Sequence, residues 1–257
     1  MLPSLIRKAS CAAALSLVGL LAADASAADV QYKNGHLKIK FSQDVPETIQ
    51  LWPAGPLMVA VVVDEGLGGG LQLFGMYTAV TNISVKGSRL ADSLQAYVMI
   101  SGNLTIKSGA GSDDINLAGL VSRNVKISLG AGDDILETTL GDQLLVGGSF
   151  TSKGGAGDDV FDFEDPLLVS GSMSLDLGKG DPAGNEDVFL HLAPKFIQKT
   201  LSIKLSKQGD QDVFLENLTA DKVIIRGGKG DNELDLTGGG NAIDEVTTQK
   251  VEATLLP

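Results

Sequence analysis

The chain has 257 residues, of which 43% are apolar, 5% are aromatic and 32 are glycine, with one cysteine and a formal net charge of −12. Acidity on that scale excludes nucleic acid as a partner held by net charge and opposes attraction to anionic lipid. A single cysteine excludes a disulfide framework, and apolar content rich in Val, Ile and Leu beside so much glycine favours strands and tight corners over helices.

Residues 1–27 read as a secretory leader. Arg7 and Lys8 close a positive start, Ala9 to Ala23 is an apolar run too short to span a bilayer, and Ala25-Ser26-Ala27 has the small-x-small form of a cleavage site. The mature chain is then expected to begin at Ala28, to lack cysteine because Cys11 falls in the leader, and to work outside the cytoplasm: extracellular, at the cell surface or in the periplasm. No later stretch has the length and hydropathy of a transmembrane helix.

From residue 28 to the end, one short alternating apolar strand keeps returning. Its copies start at Leu37, Val59, Ile83, Leu104, Val125, Phe150, Met173, Leu201, Val223 and Val251. Steps of roughly 21–28 residues with period-2 alternation predict an all-β chain, a single parallel β-helix (β-solenoid) of about nine coils over residues 28–257. Each coil holds three short strands, as in Leu104–Lys107, Asp114–Leu117 and a weaker one near Leu120–Ser122. An antiparallel sandwich is the structural rival, but it gives no reason for one corner phrase to recur once per coil. Trp52, Phe74 and Tyr77 read as core or cap residues of the first coils. Asn82-Ile83-Ser84, Asn103-Leu104-Thr105 and Asn217-Leu218-Thr219 match the glycosylation tripeptide, at coil boundaries where polar corner residues are expected anyway.

The recurring corner is clearest in Gly154-Gly155-Ala156-Gly157-Asp158-Asp159-Val160-Phe161-Asp162-Phe163. Other copies are Gly109-Ala110-Gly111-Ser112-Asp113-Asp114 and Gly130-Ala131-Gly132-Asp133-Asp134. Eroded ones follow at Gly178-Lys179-Gly180-Asp181, Gly209-Asp210-Gln211-Asp212 and Gly228-Lys229-Gly230-Asp231-Asn232. The first three coils carry Gln43-Asp44-Val45-Pro46, Asp64-Glu65-Gly66 and Gly87-Ser88-Arg89 instead, so the acidic corners concentrate between residues 104 and 236. Stacked coils would set like carboxylates about 5 Å apart, a repulsion of about 1 kcal/mol in water and about 3 kcal/mol at an effective dielectric near 20. Two readings of how that repulsion is offset stay open: a hard divalent cation bound by oxygen ligands, or carboxylates that cap backbone N–H groups with no metal.

These corners resemble the hemolysin-type calcium-binding repeats, or repeats-in-toxin, of consensus G-G-x-G-x-D-x-U-x, where U is a large apolar residue. Gly154 to Asp162 fits throughout, and the copies at Gly109, Gly130 and Gly227 fit with one departure each. The resemblance covers the corners only; the family repeats every nine residues, and this chain places one corner per coil. It implies bound Ca²⁺, with Asp113, Asp134 and Asp159 foremost among the ligands, and Asp114, Asp133, Asp158, Asp181, Asp210, Asp212 and Asp231 as further candidates.

Many parallel β-helices act on polysaccharides, so a lyase or hydrolase is the rival function. No nucleophile elbow, zinc-protease helix or phosphate loop is present, and His36 and His191 have no evident partner in the sequence. The expectation is therefore a secreted, non-enzymatic, calcium-binding β-solenoid with a structural or adhesive role toward surface polysaccharide or other cell-surface proteins.

Overall fold

The computed structural model describes residues 28–254, apart from 56, 65–70, 139–140, 181–184, 192, 207–208, 229–230 and 237–238. The predicted leader and Asp181 lie outside the described residues. Every regular element among the described residues is a strand, and nearly all pair in parallel with the equivalent strand one coil away. The chain is a β-solenoid of about seven turns, fewer than the roughly nine the sequence predicts.

Three parallel sheets wrap one core. The first passes through Leu104–Ala110, Val125–Ala131 and Phe150–Ala156, with Val125 in register with Leu104 on one side and Phe150 on the other. The second begins just after the acidic corner and runs through Asp114, Ile135, Val160, Asp187 and Asp212. The third is narrow and stacks Val121 on Val146, Val169, Ile197 and Ala220. Alternation along each strand sends one set of side chains inward. Leu104, Val125, Phe150 and Met173 form one fully buried stack, and Leu136, Phe161 and Val188 another. Phe150 and Phe163 meet edge to face, with ring centroids 5.7 Å apart.

The shortfall in turns has two sources. Strands β1 (Asp29–Lys33) and β2 (His36–Lys40) form an antiparallel hairpin about Asn34-Gly35, both at positive φ (51° and 76°), as a two-residue turn requires. Strands β3 (Thr48–Gly55), β4 (Met58–Asp64) and β5 (Gln72–Tyr77) then run antiparallel to one another. Val59 therefore sits in the middle of a meander that prolongs the second sheet past its first rung, and not in a coil. At the other end Val251-Glu252-Ala253 continues the second sheet, with Ala253 in register with Leu234; the last rung of the first sheet is Val246 against Val223. The antiparallel strands cover an edge that would otherwise accept a further parallel coil. Trp52 and Phe74, expected in the core or cap, lie on this meander 38% and 44% exposed, while Tyr77 packs on Tyr32.

Burial this complete makes the inward stacks sensitive to truncation. Phe161→Ala is expected to lower unfolding stability by about 3–5 kcal/mol, and Phe161→Leu by under about 1.5 kcal/mol, read as shifts of the urea midpoint. Equal small shifts for both would contradict a close-packed stack.

Candidate functional site

Corners stack so closely that backbone lies where a side chain would be. A Cβ on Gly130, whose φ is +127°, would sit 1.9 Å from the carbonyl oxygen of Gly109 one coil below. Gly154 is glycine for a second reason: a Cβ there would lie 2.2 Å from Oδ2 of Asp159, which folds back over it. The glycines of the phrase thus follow from coil packing itself.

In the Asp133-Asp134 and Asp158-Asp159 pairs the second aspartate points inward, and Asp113, the first of its own pair, holds the same position. Register extends this position from Glu47 through Asp92, Asp113, Asp134, Asp159, Glu186 and Gln211 to Asn232. Asp113, Asp134 and Asp159 are buried to 2%, 0% and 0% exposure. Each reaches back one coil: the Asp92 N–H donates to Oδ1 of Asp113 at 2.8 Å, the Asp113 N–H to Asp134 at 2.8 Å, and the Asp134 N–H to Asp159 at 3.3 Å. At the N-terminal end the Glu47 N–H donates to Oδ1 of Asp92 at 3.2 Å, and the Ser42 N–H donates to the Glu47 carboxylate at 2.6 Å.

In those two pairs the first aspartate faces outward and reaches the other way. The Asp158 N–H donates to Oδ1 of Asp133 at 2.9 Å, and the Asp231 N–H to Oδ1 of Asp210 at 2.9 Å. Asp212 donates its N–H to Asp187 at 3.4 Å. In the coil carrying Asp133-Asp134, one carboxylate therefore clamps the coil before and the next clamps the coil after. Asp114 falls one place later than the buried position, in register with Ile135, and is exposed. Gln211 and Asn232 hold the inner position between Asp210 and Asp212 and after Asp231, which are exposed. At the corner preceding the first sheet, amides do the same work: the Asn103 N–H donates to Asn82 at 2.9 Å and the Asn124 N–H to Asn103 at 3.2 Å.

Asp113 and Asp134 each retain a buried Oδ2 with no hydrogen-bond partner. The Ser108 hydroxyl lies close to Asp113, but its proton points to the Leu129 carbonyl. Burial is the main reason that the Asp113 carboxyl is pushed up to about 7, with the Asp134 and Asp92 charges adding to it and the Asp92 N–H and Ser108 opposing. Burial likewise raises Asp134 to about 6, against the pull of the Asp113 N–H.

Ca²⁺ needs about six to eight oxygens at flexible distances. Between neighbouring coils the inner column presents fewer carboxylate oxygens than that. It is sealed from solvent, and one oxygen of each aspartate already accepts an N–H from the neighbouring coil. The capping reading fits this geometry, with Asp113, Asp134 and Asp159 each accepting an N–H from the neighbouring coil.

Among the described residues, the acidic and histidine side chains whose ligand atoms converge in a group of three are Asp162, Glu164 and His191, all within 4.8 Å of one another. His191, expected to stand alone, has its Nε2 2.9 Å from Oδ1 of Asp162. Beside it opens a shallow cleft of about 420 Å³, lined by Phe189, His191, Asp212, Val213, Phe214, Glu233 and Asp235. Behind it Lys195 occupies an inward position between Leu167 and Leu218 and is fully buried. Its Nζ donates to the carbonyls of His191 at 2.8 Å, Ala193 at 2.5 Å and Glu164 at 3.3 Å. Burial lowers its pKa to about 8, against the attraction of Asp165, Asp162, Glu216 and Glu164. One usable hint of the longer column lies in the spacing, since Asp92 precedes Asp113 by the same step that separates Asp113 from Asp134. Nothing in it marks Asp162, Glu164, His191 or Lys195.

No family model matches the chain, and neither curated proteins nor solved structures yield a match.

The raised carboxyls fix the sign of a pH dependence. An aspartate whose folded pKa lies above its unfolded value of about 3.9 favours folding most at low pH and loses that contribution as pH rises through the folded pKa. Between about pH 4.5 and pH 8 the protein should therefore lose stability, on the order of a few kcal/mol. Asp113→Asn keeps an oxygen for the Asp92 N–H and cannot ionise, so it should flatten the slope and stabilise at pH 8. Denaturant melts at both pH values test this, and a native-like slope in the variant would contradict it.

Proposed function

We propose that this chain is an exported, non-enzymatic β-solenoid that serves as a stiff structural or adhesive element, with Ca²⁺ as a counter-ion along its outer acidic row. The observation that carries the reading is the run of carboxylates that cross between coils at the corners, with Asp133 and Asp134 fastening their coil to both neighbours. Such a corner maximises rigidity along the stacking axis and offers no reacting group to solvent.

Calcium's place follows from charge. Asp133 and Asp158 stack on successive coils at the surface, as do Asp210 and Asp231. A hard cation that tolerates irregular carboxylate geometry relieves the repulsion between them and stabilises the folded state by mass action. The abundance of calcium outside cells suits an exported chain. Partners are surface polysaccharides or cell-surface proteins met along the flat faces. No helix among the described residues is long and apolar enough to cross a membrane. The polysaccharide-active alternative would be favoured by Lys or Arg facing carboxylates across a groove. The cleft beside His191 is lined instead by carboxylates and phenyl rings.

Thermal melts with Ca²⁺ and with chelator test this. Ca²⁺ is expected to raise the melting temperature by about 2–4 °C, the shift for about 1 kcal/mol in a chain of this size. The rise should vanish in the double variant Asp133→Asn, Asp158→Asn and persist in Asp134→Asn. Identical melts with ion and chelator would leave the aspartates as hydrogen-bonded caps alone.

A further inference from the structure

The corner ladder makes no use of the group on the outward face of the second sheet. Asp162 and Glu164 stand two residues apart at the end of Val160–Phe163, so they leave the sheet on the same side. Register sets Asp162 beside Phe189 and Phe163 beside Leu190, which brings Glu164 alongside His191 of the next coil. One ligand atom from each of Asp162, Glu164 and His191 falls within 4.8 Å of the other two, and all three are half-buried.

Two further observations favour a cation at this group. Four carboxylates, those of Asp165, Asp162, Glu216 and Glu164, lie near enough to act on Lys195. The Lys195 ammonium is committed to three backbone carbonyls and forms no ion pair with Asp162 or Glu164. The group also opens, through His191, onto the cleft floored by Phe189 and Phe214, where the carboxylates of Asp212, Glu233 and Asp235 add to the negative charge that attracts a positive ion.

We propose that Asp162, Glu164 and His191 form a binding site for a divalent transition-metal ion of the Zn²⁺ type, separate from any calcium at the corners. The donor set decides the class of ion. An imidazole nitrogen with two carboxylate oxygens suits borderline ions such as Zn²⁺, whereas Ca²⁺ wants an all-oxygen shell of higher number. Ligand atoms about 2.1 Å from a tetrahedral ion lie about 3.4 Å from one another. Nε2 of His191 and Oδ1 of Asp162, now 2.9 Å apart, therefore need to part by only about half an ångström. Three protein ligands leave a position open toward the cleft, where water or an oxygen-bearing ligand completes the shell.

Titration calorimetry of the purified protein with ZnCl₂, in buffer holding excess Ca²⁺, tests the proposal. Saturable binding of about one Zn²⁺ per chain is expected. Glu164→Gln is the clean variant, because among the described residues the Glu164 carboxylate makes no hydrogen bond or ion pair, so its replacement should leave the fold undisturbed. It and His191→Gln should each weaken Zn²⁺ binding at least about tenfold. Melts without metal verify that both variants fold. The variant Asp133→Asn, Asp158→Asn should keep native Zn²⁺ affinity even where its calcium response is gone, so the two readings fail separately. Absence of saturable Zn²⁺ binding, or native affinity in either Glu164→Gln or His191→Gln, overturns the site.

Discussion

Everything in this fold depends on equivalent residues of successive coils lying one strand spacing, about 4.8 Å, apart. That spacing satisfies the backbone along the sheets but leaves the corners, where the chain turns and the ladder is interrupted, with donors to satisfy. The chain meets the need with side-chain acceptors that cross between coils. An inner carboxylate reaches toward the N-terminus, an outer carboxylate reaches toward the C-terminus, and consecutive aspartates such as Asp133 and Asp134 do both from one corner. The same proximity explains the glycines, since the carbonyl of Gly109 fills the space that a Cβ on Gly130 would take.

Stacking acids has an electrostatic consequence that the chain handles differently inside and outside. In the buried column, desolvation makes a second or third charge so unfavourable that Asp113 and Asp134 hold their protons toward neutral pH. Farther along, the same position becomes Gln211 and Asn232, amides that are neutral at every pH. Protonated acid and amide are close in shape, so the column can change chemistry without changing coil geometry. On the surface, solvent screens the outer carboxylates, and charge there can be retained. The net charge of −12 is therefore a property of the exterior far more than of the clamp.

Much of this was legible in the primary order. A fixed step with period-2 alternation located eight of the strands of the first sheet, from Leu37 to Val223, because inward stacking imposes the same pattern on each coil. Val59 was misplaced because an antiparallel strand with one buried face has the same alternation as a coil strand, and only pairing direction tells them apart. Asp92 and Glu47 were missed because their corners lack the glycine phrase while keeping its geometry. Asp162 and His191 meet across a step stretched by the segment after Gly180, so no fixed spacing announces them. Lys195 is hidden for another reason: its inward position was reserved by the pattern for an apolar residue.

The exceptions to the repeat gather in one region. Lys195 replaces an apolar core residue, Glu186 and Gln211 replace the inner aspartate, and Phe189 and Phe214 stand on an outward face that carries acids in neighbouring coils. A repeat chain stays uniform where only stacking matters, since any coil then tolerates what its neighbours tolerate. Departures that each oppose a local preference, such as a buried ammonium held by three carbonyls, call for something gained in return. Phe189 and Phe214 floor an acid-rimmed cleft beside His191, and Lys195 lies buried behind it. The regular corners keep the coils in register, and the irregular coils that follow them carry the chain's departures from its own pattern.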